Sequence, residues 1–462
     1  MMSSTLARPR PHPAMVAAPE PGLFWLLLFC SWVVAWYLQV GYRIEWLGDI
    51  RFELVTAILL SAAALAQGAR WGQPTMIMTY VFLAIILVQL PFSFDPVVSW
   101  DRFLDRVAKF ACFALMIPAF CKGRRSLSFF IGAYLLAFLR MGYEALIGNV
   151  TGSLIWENQG VMRLHGSTPI YAHPNSLAGT MLGTLPFVIY LWSVSKTWVR
   201  VVLAVQVVFV VNALLFSGSR TGYVGFVALV VYVVWNSRHR VRTALITAVV
   251  ALCLFPLIPH DYVERFGSIF TGKDKEGEST DTRKVILQDA WATFQKYPLG
   301  IGVAAFPAVR THLFGRVQDT HNLYLEVGTN LGVQGLIVFG LWVGTMWLAL
   351  SRTKRFGREL LAKIGARLKL LDGDAPARET LVRLQGDVSL YVAVAQATLA
   401  FLFVRLVLGL FGHDLYEVYW WFAVGLATSL LTLMEISRAA YQHLAPAEAV
   451  EVGTKLVGKG KR

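Results

Sequence analysis

The chain has 462 residues, of which 56% are hydrophobic and only 15% charged, with a mean hydropathy of +0.56. Soluble globular domains average about 25% charged residues, so a disordered chain, a coiled coil and an ordinary soluble enzyme are excluded. The net charge of +14 (42 Lys+Arg against 28 Asp+Glu) would suit nucleic acid in a soluble protein, but in a membrane chain such an excess sits in cytoplasmic loops and sets topology, so no nucleic-acid partner is expected.

The apolar runs are unbroken and about 20 residues long, as helices spanning a hydrocarbon core of about 30 Å require, whereas membrane barrels show short alternating segments. The fold class is therefore an all-α polytopic membrane protein. Residues 1–22 form a polar, Pro-rich, basic N-terminal tail. The apolar run 23–40 is longer than the h-region of a signal peptide and reads as an uncleaved anchor. Further spans fall near 51–67, 75–91, 104–121, 127–147, 176–195, 199–216, 221–236, 242–259, 322–350, 388–410 and 415–436. The resulting organisation is about 12 transmembrane helices. The cytoplasmic tail 1–22 precedes spans one to nine within 23–259, and a large periplasmic loop follows at 260–320. Span ten occupies 321–350, and a cytoplasmic amphipathic loop 351–387. Spans eleven and twelve lie within 388–436, before a basic cytoplasmic tail at 437–462.

Basic clusters at 122–125, 238–242 and 352–355 fall on one side together with both termini, and the positive-inside rule makes that side cytoplasmic. The loop 352–387 carries nine Lys/Arg and five Asp/Glu, whereas 260–320 carries eight of each and belongs outside. Within 358–384, Leu360, Leu361, Ile364, Leu368 and Leu371 recur at helical spacing among Lys and Arg. This predicts a surface helix on anionic headgroups, with membrane lipids as partners. The four cysteines, Cys30, Cys112, Cys121 and Cys253, lie in or beside apolar runs and offer neither a disulfide framework nor zinc spacing.

Charges in or beside a membrane are costly and usually functional. Arg140 and Glu144 lie four apart on one span and can neutralise each other along the helix. Arg405 has no partner within its own span and can reach across the bundle, while Glu435 lies near the cytoplasmic end. The external segment 149–175 is rich in Gly, Pro, His and Asn and includes Arg163, His165, His173 and Asn175. Irregular backbone of this kind survives at membrane depth when it lines a cavity. The bland alternative for Asn175 or Ser176 is a helix N-cap, and Arg163, a lone charge between apolar neighbours, is a candidate anion ligand.

The turn Ser217-Gly-Ser219-Arg220-Thr221-Gly222 joins two apolar runs on the external side. Arg220 at a helix N-terminus opposes the helix dipole, which calls for an anion there; a headgroup anchor is the plainer option. In the long loop, Arg283, Leu287, Ala290 and Phe294 would line one helical stripe flanked by Trp291, laying a helix over the bundle. Pro298, Gly300 and Gly302 then turn the chain. Asp319-Thr-His321-Asn322-Leu-Tyr324 opens the next span, and Gly328, Gly332 and Gly335 would share the face of His321, permitting close helix approach or a substrate groove. An imidazole at the aqueous mouth of that face can serve as general base. Three guanidiniums, Arg163, Arg220 and Arg283, suit a pyrophosphate, and no metal or cofactor is expected. The lone Asp-x-Asp, Asp372-Gly-Asp374, lies in the cytoplasmic loop. One base, several phosphate clamps and a lipid-accessible groove imply group transfer from a polyprenyl pyrophosphate to a hydroxyl.

These stretches resemble the O-antigen ligases, a family related to the O-antigen polymerases. The similarity is carried by Ser219-Arg220-Thr-Gly222, Arg283 with Trp291, the Pro298-Leu-Gly300-Ile-Gly302 turn, and His321-Asn322-x-x-Leu-Glu followed by Gly332 and Gly335. The resemblance implies a GT-C-like bundle in the bacterial inner membrane, with helices of the large periplasmic loop lying over it. It implies a donor of O-antigen polysaccharide on undecaprenyl pyrophosphate, a sugar hydroxyl of lipid A-core as acceptor, and inverting, metal-independent transfer. On this pattern His321 activates the acceptor, and Arg220 and Arg283 hold the pyrophosphate. Arg163 joins them from position alone, and His173, Asn175, Ser219, Asn322 and Tyr324 stand in support. The alternatives are the polymerase that extends lipid-linked glycan, and a 12-helix transporter or flippase of lipid-linked saccharide. A transporter would carry its charged or unwound positions near mid-membrane, whereas most candidates here cluster at the external boundary.

Overall fold

The computed structural model describes residues 20–158, 161–254, 256, 262, 279–371, 376–412 and 414–444. The expected tail segments 1–19 and 445–462, the loop stretch 263–278 and residues 372–375 with the Asp-x-Asp lie outside them. The described chain is nearly all helical, with a single two-stranded hairpin, β1 (Ile155–Asn158) and β2 (Val161–Leu164), paired antiparallel with Trp156 opposite Arg163.

Among the described residues, six helices are long and apolar enough to cross a membrane: Arg124–Thr151, Pro174–Val194, Thr197–Phe216, Leu323–Leu368, Ala377–Leu408 and Val418–Leu444. Leu23–Leu38, Phe52–Gln67, Pro74–Gln89 and Arg220–Asn236 are shorter apolar helices. The run 104–121 is divided: α6 (Pro96–Arg102) passes through a π-turn (Phe103–Ala108) into α7 (Lys109–Phe120). Between α1 (Leu23–Leu38) and α4 (Phe52–Gln67) the chain makes two short helices, α2 (Val40–Arg43) and α3 (Glu45–Asp49). α5 (Pro74–Gln89) and α8 (Arg124–Thr151) follow on either side of the α6–α7 pair.

Burial ranks the helices. The final helix, α18 (Val418–Leu444), is buried on every side from Trp420 to Leu431, with Trp420, Trp421, Phe422, Val424, Leu426 and Leu430 all closed off. A helix that is hydrophobic all round belongs at the centre of a bundle. It packs on α7, on α16 (Leu323–Leu368) and on α17 (Pro376–Leu408). By contrast α11 (Thr197–Phe216) and α12 (Arg220–Asn236) bury one face and expose Val201, Val205, Val208, Val227 and Val231. An exposed apolar face this large would be penalised by water and suits lipid. Aromatic rings join the helices: Tyr134 and Phe422 stack at 4.8 Å, Phe82 and Trp342 at 4.5 Å, and the Trp342 indole N–H donates to Thr79 Oγ1 at 2.9 Å.

Two features differ from the sequence expectation. The stretch 358–368 does not leave the bundle; it continues α16, and Gly357, Leu360 and Ile364 turn inward. A Cβ on Gly357 would lie 2.2 Å from Val392 Cγ2, so the apolar stripe is spent on helix packing rather than on headgroups. Nor do Gly328, Gly332 and Gly335 share one continuous face, because α16 breaks at Gly332 (φ 72, ψ −167). The Pro298–Gly302 turn plugs the break: Ile301 N–H donates to Thr329 O, Gly302 N–H to Asn330 O, and Val333 N–H to Pro298 O, at 2.9, 3.0 and 2.9 Å. A Cβ at Gly332 would fall 2.4 Å from Leu299 C, so glycine is required both for the positive φ and for the contact. At Gly332 the close-approach option is the one used, since the loop itself fills the space beside it.

A helix over the bundle is present as α14 (Ser279–Lys296), but its inward stripe is Ile286, Asp289, Ala290 and Thr293. Leu287 and Trp291 are exposed, so the expected stripe is rotated by about one residue. The reason is ionic: Asp289 faces inward to accept from Arg310 Nε at 2.9 Å and Arg316 Nη1 at 3.3 Å, which clamps α14 to α15 (Phe306–Phe314).

Candidate active site

At the end of the bundle that carries the hairpin, the connections between helices interlock. Arg43 grips Glu144 through two 2.7 Å bonds, Glu144 also takes Arg140 at 3.0 Å, and Ser167 donates to it at 2.6 Å. The expected Arg140–Glu144 pair is therefore real but shared. Arg163 on β2 is nearly wholly buried. Its Nε donates to Ser217 O at 2.7 Å and its Nη2 to Asn175 Oδ1 at 2.8 Å, so one guanidinium ties the hairpin to the α11–α12 turn and to the start of α9 (Pro174–Leu182).

These ties enclose a cavity of about 440 Å³. His173, Asn175 and Ser176 contribute one wall, Thr221 and Gly222 of α12 another, and His321 the third; Arg405 of α17, Asp414 of the following loop and Tyr419 at the start of α18 close it. Asn175 N–H donates to His173 Nδ1 at 3.1 Å. That bond requires a lone pair on Nδ1, so a neutral His173 carries its proton on Nε2. Ser219 caps α12 by accepting from Gly222 N–H at 3.1 Å, which sets Arg220 as the first residue of that helix, next to the cavity-lining Thr221.

His321 stands at the entrance to α16 with φ 48. Left-handed backbone is uncommon outside glycine and marks positions fixed by their surroundings. The fixing groups are visible. Asn322 Oδ1 caps the helix through the Tyr324 and Leu325 N–H groups at 3.0 Å each, and its Nδ2 donates to Leu410 O at 3.2 Å. Leu323 N–H donates to Gly409 O at 2.7 Å, and the Tyr324 hydroxyl to Leu406 O at 2.8 Å. Glu326 of the same motif is buried and accepts from Leu415 N–H at 3.1 Å. The His-Asn-x-x-Leu-Glu segment thus fastens itself to the α17–α18 loop and holds the imidazole at the cavity wall.

The structure gathers His321, His173 and Asn175 on one cavity, with Arg220 one residue from its wall. Arg163 sits behind Asn175 rather than on the surface, and Arg283, half-buried in the early turns of α14, is not among the lining residues. Two arginines not proposed as ligands from sequence are on the wall. Arg106 pairs with Glu417 at 2.8 Å, and Arg405 reaches across the bundle to donate from Nη2 to Gly179 O at 2.8 Å. The signal for both is local, a charge within or at the mouth of an apolar run. Among the described residues no group of three His, Cys, Asp or Glu side chains is disposed to hold a metal ion.

Residues 205–340 match the O-antigen ligase family model. Over that stretch the chain is similar to the O-antigen ligases. No curated protein matches the chain. The matched stretch contains Ser219, Arg220, Arg283, the Pro298–Gly302 turn and His321, whereas Arg106, Arg163, His173, Asn175, Arg405 and the α17–α18 loop lie outside it. Of the cavity wall, the matched stretch supplies Thr221, Gly222 and His321, and the segments on either side of it supply the rest.

Proposed function

We propose that the protein is a twelve-span, GT-C-like glycosyltransferase of the bacterial inner membrane. Both termini are cytoplasmic and the cavity faces the periplasm. It transfers O-antigen polysaccharide from undecaprenyl pyrophosphate to a sugar hydroxyl of lipid A-core. The observation that supports this reading is the meeting of His321, held in a left-handed turn, with arginine-bearing walls in one cavity bordered by the stretch that matches the O-antigen ligase family. His321 takes the proton of the acceptor hydroxyl as its oxygen forms a bond to the anomeric carbon. The bond from that carbon to the phosphate oxygen breaks, and the polyprenyl pyrophosphate departs with the electron pair. Attack opposite the leaving group inverts the centre. Arg220 and Arg283 stabilise the departing charge, with fixed cations serving where many enzymes use a metal ion.

The test is a two-substrate assay with purified protein, lipid-linked glycan and core lipid, run with excess EDTA. Product that depends on core lipid and survives EDTA supports the reading. Longer lipid-linked chains without core lipid would make it a polymerase. Loss of transfer in EDTA with rescue by magnesium removes the arginine-for-metal role, and glycan movement without any bond exchange removes the enzyme reading.

A further inference from the structure

The cavity contains a cation that the transfer reading does not use. Arg405 sits on α17 within the apolar bundle, is 3% exposed, and borders the cavity. Its guanidinium lies flat on the Tyr419 ring, 3.3 Å from the centroid, with Phe401 at 5.3 Å. Room for it is made on α9: a Cβ on Gly183 would lie 3.0 Å from Arg405 Nη2, and one on Gly179 3.8 Å from Nη1. Nη2 is engaged by Gly179 O, but Nε is buried and has no hydrogen-bond partner. Two carboxylates, Asp414 and Glu417, line the same cavity, yet neither forms an ion pair with Arg405, and Glu417 is taken by Arg106.

A buried guanidinium with an idle donor is expensive unless something accepts from it. The stack on Tyr419 fixes its plane, and the planar fork suits two oxygens of one anion. We infer that Arg405, backed by Tyr419 and the Gly179–Gly183 recess, is an oxyanion-binding residue at the inner side of the cavity that receives a phosphate group of a lipid substrate. The inference rests on the transferase reading for its substrates. The shared chemistry is a phosphate oxyanion, and its source is either the diphosphate of the polyprenyl donor or a phosphate on the core acceptor.

The test measures binding to the full-length protein in detergent, using farnesyl diphosphate as one probe and core lipid before and after phosphatase treatment as the others. Arg405→Lys keeps the charge but loses the fork, and should weaken the phosphate-bearing probe about tenfold; Arg405→Gln should weaken it more. Gly183→Ala, which crowds the guanidinium without removing it, should weaken it severalfold and carries the test if the Arg405 variants fail to fold. Weakening confined to farnesyl diphosphate identifies the donor as the source, and weakening confined to untreated core lipid identifies the acceptor. Unchanged affinity for both probes in folded variants overturns the inference, while transfer by the unaltered protein leaves the enzyme reading standing. Arg405-dependent binding in a protein that transfers nothing does the reverse.

Discussion

The two ends of the bundle use the same residue types to opposite effect. At the end away from the hairpin, cations meet partners near the surface: Arg70 with Glu435, Arg124 with Asp387 at 3.3 Å, Arg125 with Glu20 at 3.2 Å, and Arg367 with Leu444 O. Lys122 donates to Gln67 O beside a second cavity of about 310 Å³, and partial burial alone holds its ammonium below the usual lysine range. At the hairpin end the cations go inside. Arg163, Arg310 and Arg405 are nearly closed off and are met by backbone carbonyls, an amide, an aromatic face or one carboxylate. Exposed pairs contribute about 0–1 kcal/mol and are widely replaceable. Buried cations are costly when any partner is lost. The pairs at the far end are thus replaceable, while the hairpin end is specified residue by residue.

This contrast can be broken in order of expected size. Removing the imidazole with His321→Ala should lower transfer by about 10²–10⁴-fold in the two-substrate assay, with the thermal midpoint in detergent unchanged. Normal turnover would reduce the cavity to a passive opening. Asp289→Ala strands Arg310, which is 1% exposed, and should cost about 3–5 kcal/mol, read as a lower thermal midpoint. A shift no larger than that of a surface pair would erase the distinction between the ends. Asn175→Ala removes the amide that accepts from Arg163 and should cost about 1.5–3 kcal/mol, as for hydrogen bonds to charged groups. Transfer should fall with it, since the same amide lines the cavity. Arg124→Ala, at the opposite end, should change stability by less than about 1 kcal/mol and leave the transfer rate alone.

Much of the site end was legible in local sequence. Helix starts were read near Thr221 and at His321, where Ser219 and Asn322 supply the caps, whereas the cap expected at Asn175 or Ser176 falls to His173. His321 and the Pro298–Gly302 turn were found as motifs. What escaped is what depends on distant partners. The inward face of α14 is set by Asp289 needing Arg310, so hydrophobic periodicity alone placed Leu287 inside when it is outside. The glycines of α16 read as one stripe because a straight helix was assumed, yet a loop 30 residues upstream interrupts it at Gly332. Arg106 finds Glu417, and Arg405 finds Gly179, across 311 and 226 positions, separations that no window of sequence can span. Arg163 looked like a ligand because it is a lone charge, and its buried bonds to Ser217 O and Asn175 show a lone charge in sequence meeting polar atoms from two other segments.

The interruption at Gly332 leaves a stub of nine residues, 323–331, at the tip of a much longer shaft. His321 rides on that stub, and the stub's carbonyls are tethered to the Pro298–Gly302 turn rather than to lipid-facing neighbours. The aim of the imidazole is consequently steered by a turn outside its own helix. Under the proposed transfer, changes in that turn would swivel the ring toward a differently shaped acceptor without rebuilding the helices beneath it.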